Sequence, residues 1–96
     1  MLIKAGVDIS HLERNTRRGL GVVETVYLEV KEELVVTSTR DGNHGGGSLH
    51  YGDCAFDIRY PVDKQIVIVI RLRKRLGPSF DVVSEVDHIH IEYDPK

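Results

Sequence analysis

The sequence predicts one α+β domain: an antiparallel or mixed sheet of about four strands, with helices packed against one face. The chain has 96 residues, which allows one small hydrophobic core and a single domain spanning residues 1–96. Its hydrophobic share, 41%, is ordinary for a globular domain and argues against disorder. Apolar residues at helical spacing occur together with short runs of β-branched residues, and this mixture predicts α+β.

The first part of the chain predicts two helices separated by glycines. Asp8 and Ser10 are good N-cap residues for a polar helix over residues 8–18. Gly19 and Gly21 interrupt that helix. Three valines then recur at helical spacing and predict a second helix: Val22, Val26 and Val30.

The middle of the chain predicts two strands around a glycine-rich loop. Residues 33–39 form a β-branched run, and residues 55–60 form a second run that ends at Pro61. The segment between them begins with residues 40–47, which contain several glycines and are expected to form a loop.

The last third predicts a helix and a hairpin. Residues 62–76 are rich in isoleucine and valine, as strands are, but their length and the Gly77-Pro78 stop favour a helix. Residues 80–84 and 88–93 then form the two strands of the hairpin. One side of the helix is expected to be apolar: Val62, Ile66, Val69, Ile70 and Leu76.

Charge and cysteine content limit the classes of partner. The formal net charge is −2, so we expect no nucleic-acid partner, and the basic cluster of residues 71–75 is expected to be the C-terminal turn of a helix. Cys54 is the only cysteine and allows no internal disulfide, which fits a reducing compartment. No secretory pattern and no bilayer-length apolar run is present. We therefore expect a monomer that is made in the cytoplasm, without a signal peptide and without membrane insertion.

Histidines and one carboxylate are the residues that predict chemistry. His88 and His90 are two apart on a predicted strand and so point to the same face, although polar alternation alone explains many such pairs. His50 and Asp57 are an odd number apart, so they share a site only if the chain turns between them. Asp57 lies in an apolar strand and needs a partner there. Two imidazoles and one carboxylate are a usual ligand set for catalytic zinc.

Other candidates for chemistry are weaker. His11 lies on the predicted polar helix and His44 in the glycine loop, and both are expected to be solvated. Cys54 is expected to be a small buried hydrophobic residue rather than a ligand or nucleophile.

The spacing Ser48-x-His50, with Ala55 and Asp57 following, and the late pattern Asp87-x-x-His90-x-Glu92 together resemble a known family. This is the family of zinc D-Ala-D-Ala carboxypeptidases and L-alanyl-D-glutamate endopeptidases, which cut peptidoglycan peptides and share a fold with the hedgehog signalling domain. The resemblance covers about residues 35–93.

The resemblance implies a role for each matching residue. His50, Asp57 and His90 would bind Zn²⁺, and Asp87 would be the general acid/base. The remaining matches are these: His88 to an accessory histidine, Arg40 to the arginine that anchors substrate or stabilises the oxyanion, and Ser48 to a substrate hydrogen-bonding residue.

Two details depart from the family pattern. Asp53 stands where the family usually has glycine, so the local loop geometry differs. Glu85 has the same spacing to His88 as Asp87 has to His90, so it competes for the role of base. Asp87 is preferred because His90 and Glu92 match the family's ending.

The expected function is zinc-dependent hydrolysis of peptidoglycan stem peptides by a phage-lysin-like enzyme that reaches the cell wall after release. An L-alanyl-D-glutamate or DD endopeptidase fits that setting, and a D-Ala-D-Ala carboxypeptidase is the closest alternative. A non-catalytic, zinc-stabilised binding module on the same fold is a rival, which would need neither Asp87 nor Arg40. A metal-free interaction domain is a further rival.

Overall fold

Five strands form one mixed sheet in the part of the chain that the structure describes, residues 1–39 and 52–95 of a computed structural model. The strands lie in the order β1-β2-β3-β5-β4, in which β1 and β2 are parallel and the other neighbours are antiparallel. This confirms the α+β prediction. The elements of the described residues are β1 Leu2–Ile3, α1 Arg14–Glu29, β2 Val35–Ser38, a 3₁₀ turn Gly52–Cys54, β3 Ala55–Arg59, α2 Gln65–Leu76, β4 Phe80–Ser84 and β5 His88–Tyr93.

The core lies between one face of the sheet and the two described helices. Alternation within each strand sends every second side chain to this face. On the two central strands these are Phe56 and Ile58 of β3 and Ile89 and Ile91 of β5, all fully buried. The helices contribute the facing side chains: Leu20, Val23, Val26 and Tyr27 from α1, and Ile68, Val69 and Leu72 from α2.

Helix α1 corrects the prediction of two helices separated by glycines. It runs without a break through Gly19 and Gly21. Its N-cap is Glu13, whose carboxylate accepts hydrogen bonds from the backbone N–H groups of Asn15 and Thr16. Gly19 lies so close to the ring of Phe80 that an added Cβ would sit 2.6 Å from it. The glycine therefore permits close packing of α1 on the sheet and does not end the helix.

Helix α2 confirms the helical prediction for the aliphatic segment but corrects its orientation. Ile68, Val69 and Leu72 face the core, whereas Ile66 and Ile70, which we expected to be on the apolar side, are exposed. Almost every position in the first two turns is aliphatic, so the sequence carries no polar stripe that fixes the rotation of the helix.

The ends of α2 and the strands near it follow the sequence closely. Basic side chains fill the last turn of α2, and Gly77 follows at a φ of 81°. The hairpin β4–β5 has the predicted bounds. Strand β1 was not predicted, and it raises the expected number of strands from about four to five. Neither described helix has the length and apolar composition needed to cross a bilayer.

Candidate functional site

The face of the sheet opposite the core carries the polar side chains of the central strands. On β5, His88, His90 and Glu92 alternate with the buried isoleucines and so lie on this face. On β3, Asp57 lies directly opposite His90 in the antiparallel register. The expectation that both histidines share a face is confirmed, and the register adds the carboxylate that faces them.

Five side chains on this face form a row in which carboxylates and imidazoles alternate, here called the carboxylate–imidazole row. Asp87 Oδ1 lies 2.6 Å from His88 Nδ1, and His88 Nε2 lies 3.7 Å from Asp57 Oδ2. Asp57 Oδ1 lies 2.8 Å from His90 Nδ1, and His90 Nε2 lies 3.1 Å from Glu92 Oε1. Asp57 therefore lies at the middle of the row, with an imidazole on each side.

Burial differs sharply along the row. The Asp57 side chain is only 12% exposed, whereas the Asp87 side chain is 85% exposed. A buried carboxylate is costly unless hydrogen bonds or a cation compensate it, and the two imidazoles supply that compensation. At the exposed end, the hydrogen bond with His88 holds the pKa of Asp87 below its usual value. The same hydrogen bond, helped by the charge of Asp57, raises the pKa of His88.

Hydrogen-bond counting shows that the inner part of the row suits a cation. Both ring nitrogens of His90 face carboxylate oxygens, Nδ1 facing Asp57 and Nε2 facing Glu92. Ionised carboxylates only accept hydrogen bonds, so this arrangement needs a proton on each nitrogen. A metal ion bound by Asp57 and His90 would replace the proton between them, as metal binding generally does.

The donor atoms fit zinc in chemistry, but they lie closer together than two zinc ligands do. Carboxylate oxygen and imidazole nitrogen are both zinc ligands, and two tetrahedral ligands at usual bond lengths lie roughly 3.3 Å apart. The observed separation of 2.8 Å is that of a hydrogen bond. A small opening of the pair is sufficient for zinc. The other ring nitrogen of His90 contacts the Glu92 carboxylate. A carboxylate in this position is the usual outer partner of a metal-binding histidine.

The structure describes four of the seven residues predicted for the site. Asp57, His88, His90 and Asp87 are brought together in the row. The other three lie outside the described residues: Arg40, Ser48 and His50. Among residues 1–39 and 52–95, no group of three or more His, Cys, Asp or Glu side chains is arranged to hold a metal. The third predicted ligand, His50, lies outside these ranges.

Of the two candidate bases, Asp87 is the one whose side chain forms a hydrogen bond with His88. Glu85 contributes backbone hydrogen bonds: its N–H donates to the carbonyl of His88, and its carbonyl accepts from the Tyr60 hydroxyl. The first of these bonds closes the β4–β5 turn, and the second ties the turn to Tyr60. The choice of Asp87 as the base stays a prediction.

Sequence reasoning missed two features of the site. Glu92 joins the row, and its position two residues after His90 on the same face was the available indication. His11 was expected on a solvated helix, but it precedes α1 and contacts Asp53 and Thr39. Such a contact joins residues far apart in the chain and leaves no local pattern.

Cys54 is only half-buried, so the expectation of a buried hydrophobic residue is wrong in degree. Partial burial of the thiol and the charge of Glu13 raise the pKa of Cys54. A raised pKa disfavours the thiolate, which is the form that binds metals and attacks electrophiles. Cys54 therefore remains a weak candidate for chemistry.

Comparisons of the chain with protein-family models, with curated proteins and with solved structures gave no match. The family resemblance therefore depends on the spacing of the two motifs.

Proposed function

We propose that this chain is a zinc-dependent peptidase that hydrolyses peptide bonds in peptidoglycan stem peptides. The observation that carries the proposal is the buried Asp57 carboxylate with the imidazole of His90 at 2.8 Å and that of His88 at 3.7 Å, on the face of the sheet opposite the core. Buried carboxylates with two histidines are a common basis of metal sites, and the motif spacing resembles that of a zinc peptidase family.

Asp57, His90 and His50 would hold the zinc ion, with His50 assigned by the resemblance. When bound, zinc supplies Lewis acidity, which polarises a peptide carbonyl and makes water nucleophilic near neutral pH. Glu92 fixes the ring of His90 through its Nε2–H. The buried position of Asp57 keeps its carboxylate away from competing solvent.

Asp87 and His88 are placed to move and to stabilise charge at the exposed end of the row. The Asp87 carboxylate is exposed, and its Oδ1 contacts His88, so it is placed to accept a proton from attacking water. The raised pKa of His88 favours the imidazolium, which stabilises negative charge developing on a peptide oxygen. Arg40 and Ser48 are assigned to substrate binding by the resemblance alone.

The substrate assignment also follows from the resemblance. An L-alanyl-D-glutamate or DD endopeptidase acting on the cell wall after release is the first choice, and a D-Ala-D-Ala carboxypeptidase is the alternative. A non-catalytic zinc module would keep the zinc ligands without needing Asp87.

The test combines metal analysis with digestion of purified peptidoglycan and mass spectrometry of the products. We expect the wild type to bind one zinc ion and to release peptide fragments whose masses identify the bond cleaved. Asp57→Asn, His90→Gln and His50→Gln should each lose zinc and cleavage. His44→Gln is the matched control, because it removes a histidine from the same stretch of sequence, residues 40–51, and it should retain both zinc and cleavage.

Asp87→Asn separates the enzyme from the zinc module. We expect Asp87→Asn to retain zinc and its rate of cleavage to fall by at least about 100-fold, the usual contribution of a general base. Cleavage at the wild-type rate in Asp87→Asn would remove this residue from the mechanism. Zinc binding without cleavage in the wild type would favour the binding module instead.

A further inference from the structure

The segment before α1 contacts the described residues on both sides of residues 40–51. Thr39 immediately precedes that stretch, and its hydroxyl donates a hydrogen bond of 2.8 Å to the carbonyl of Asp8. On the other side, the backbone N–H of Glu13 donates a hydrogen bond of 2.8 Å to the carbonyl of Asp53. His11 lies between these contacts and joins them, with Nδ1 at 3.0 Å from Asp53 Oδ1 and Nε2 at 3.2 Å from Thr39 Oγ1.

Hydrogen-bond counting gives the direction of these contacts. A threonine hydroxyl has one proton, and Thr39 donates it to Asp8, so Thr39 Oγ1 accepts from His11 Nε2–H. The Asp53 carboxylate accepts from Nδ1–H. The contact with Asp53 is charge-assisted, because its acceptor is a carboxylate. Thr39 is only 5% exposed, which shields its side of this arrangement from water.

Thr39 and Asp53, here called the two anchors, are both close in sequence or in strand register to the proposed zinc ligand Asp57. Thr39 directly follows β2, whose last residue, Ser38, pairs with Asp57 across the sheet. Asp53 lies in the 3₁₀ turn that leads directly into β3, the strand that carries Asp57. The hydroxyl of Thr37 also donates to the carbonyl of Asp57. Movement at either anchor is thus transmitted over a few residues of backbone to the ligand.

We propose that His11 and Asp53 act as a positioning pair for metal binding at the proposed zinc site. His11 joins Thr39 and Asp53, which lie on either side of residues 40–51. The inference rests on the proposed function, which assigns His50 as a zinc ligand. It also gives a physical reason for the aspartate at position 53, where the resembled family usually has glycine. The carboxylate anchors His11, and glycine has no side chain to do so.

The test is zinc affinity, measured by competition with a chromogenic chelator. The proteins are the wild type, His11→Gln, Asp53→Asn, and the double variant. We expect each single variant to bind zinc about ten-fold more weakly, the lower end of the usual effect of partners outside the ligand shell. The double variant should bind zinc about as weakly as either single variant, because both changes act on the contact between His11 and Asp53. Asp63→Asn removes an exposed carboxylate beside α2 and is the matched control, expected to bind zinc as the wild type does.

The unfolding free energy of the zinc-free proteins separates positioning from general stabilisation. A purely structural role would destabilise zinc-free and zinc-loaded protein equally and leave the affinity unchanged. Wild-type affinity in both folded single variants would overturn the positioning role. If His11→Gln does not fold, Asp53→Asn decides alone, because the side chain of Asp53 is more than half exposed. Failure of the wild type to bind zinc would overturn the proposed function, and the inference with it.

Discussion

Gly19→Ala and Gly21→Ala are a matched pair of substitutions that test whether α1 is one helix packed closely on the sheet. Both replace a glycine within the same helix, so both gain about 1 kcal/mol of helix propensity. They differ in their surroundings. A Cβ at Gly19 would lie 2.6 Å from Cε2 and Cζ of Phe80, whereas a Cβ at Gly21 would have no atom within 4 Å.

The difference in stability follows from the contact with Phe80. Carbon atoms in ordinary contact lie about 3.5–4.0 Å apart, so the ring or the helix must move by about 1 Å. Phe80 packs against Tyr93 with ring centroids 5.3 Å apart, and the movement disturbs that contact. Overpacking of this kind costs about 1–3 kcal/mol. Because the gain in propensity is common to both variants, Gly19→Ala should be less stable than Gly21→Ala by about 1–3 kcal/mol.

Urea unfolding followed by far-ultraviolet circular dichroism measures this difference. Gly21→Ala should be more stable than the wild type by about 0.5–1 kcal/mol. Replacing Phe80 with leucine in the Gly19→Ala background should recover part of the loss, because the two residues interact directly. Equal stability of the two alanine variants would refute the close packing. A destabilised Gly21→Ala would indicate that the chain breaks at the glycines.

Three further predictions concern Cys54, His88 and Glu13. Burial raises the pKa of Cys54, so its alkylation by iodoacetamide should be slower than in urea-unfolded protein and should accelerate above pH ~8.5; equal rates would contradict this. The Asp87 hydrogen bond raises the pKa of His88, so NMR of zinc-free protein should give a midpoint above about 6.5 that falls in Asp87→Asn. The stability linked to this shift is fully present below the unfolded-state pKa of about 6.5 and is lost as the pH rises through the folded-state pKa. An unchanged midpoint in Asp87→Asn would rule out the contact. Glu13→Ala removes the N-cap of α1 and should lower the free energy of unfolding by about 1 kcal/mol, measured by urea unfolding; wild-type stability would mean that the cap is not formed.

Local patterns predicted the strands of the hairpin and the faces of their side chains. Strand β5 alternates two isoleucines with two histidines and a glutamate, and the period of two fixes which side chains face the core. The same rule placed His88 and His90 together. The pairing of His90 with Asp57 is a matter of register between strands far apart in sequence, and a single strand's pattern does not contain it.

Tertiary contacts account for what the sequence did not predict. Gly19 usually weakens a helix, but here it allows α1 to approach Phe80. The aliphatic run of α2 contains apolar residues on every side, so only packing against the sheet decides that Ile68 and Leu72 are buried. His11 reaches Asp53 across 42 residues of sequence, and no local pattern contains such a contact.

Zinc K-edge X-ray absorption spectroscopy of the zinc-loaded wild type tests the central claim most directly. We expect nitrogen and oxygen ligands at about 2.0–2.2 Å with the multiple-scattering features of two imidazoles in the wild type, and no bound-zinc signal in His90→Gln, which loses the metal. A sulfur ligand at about 2.3 Å would place the metal on Cys54 instead. A spectrum unchanged in His90→Gln and Asp57→Asn would show that zinc binds elsewhere and would contradict the account.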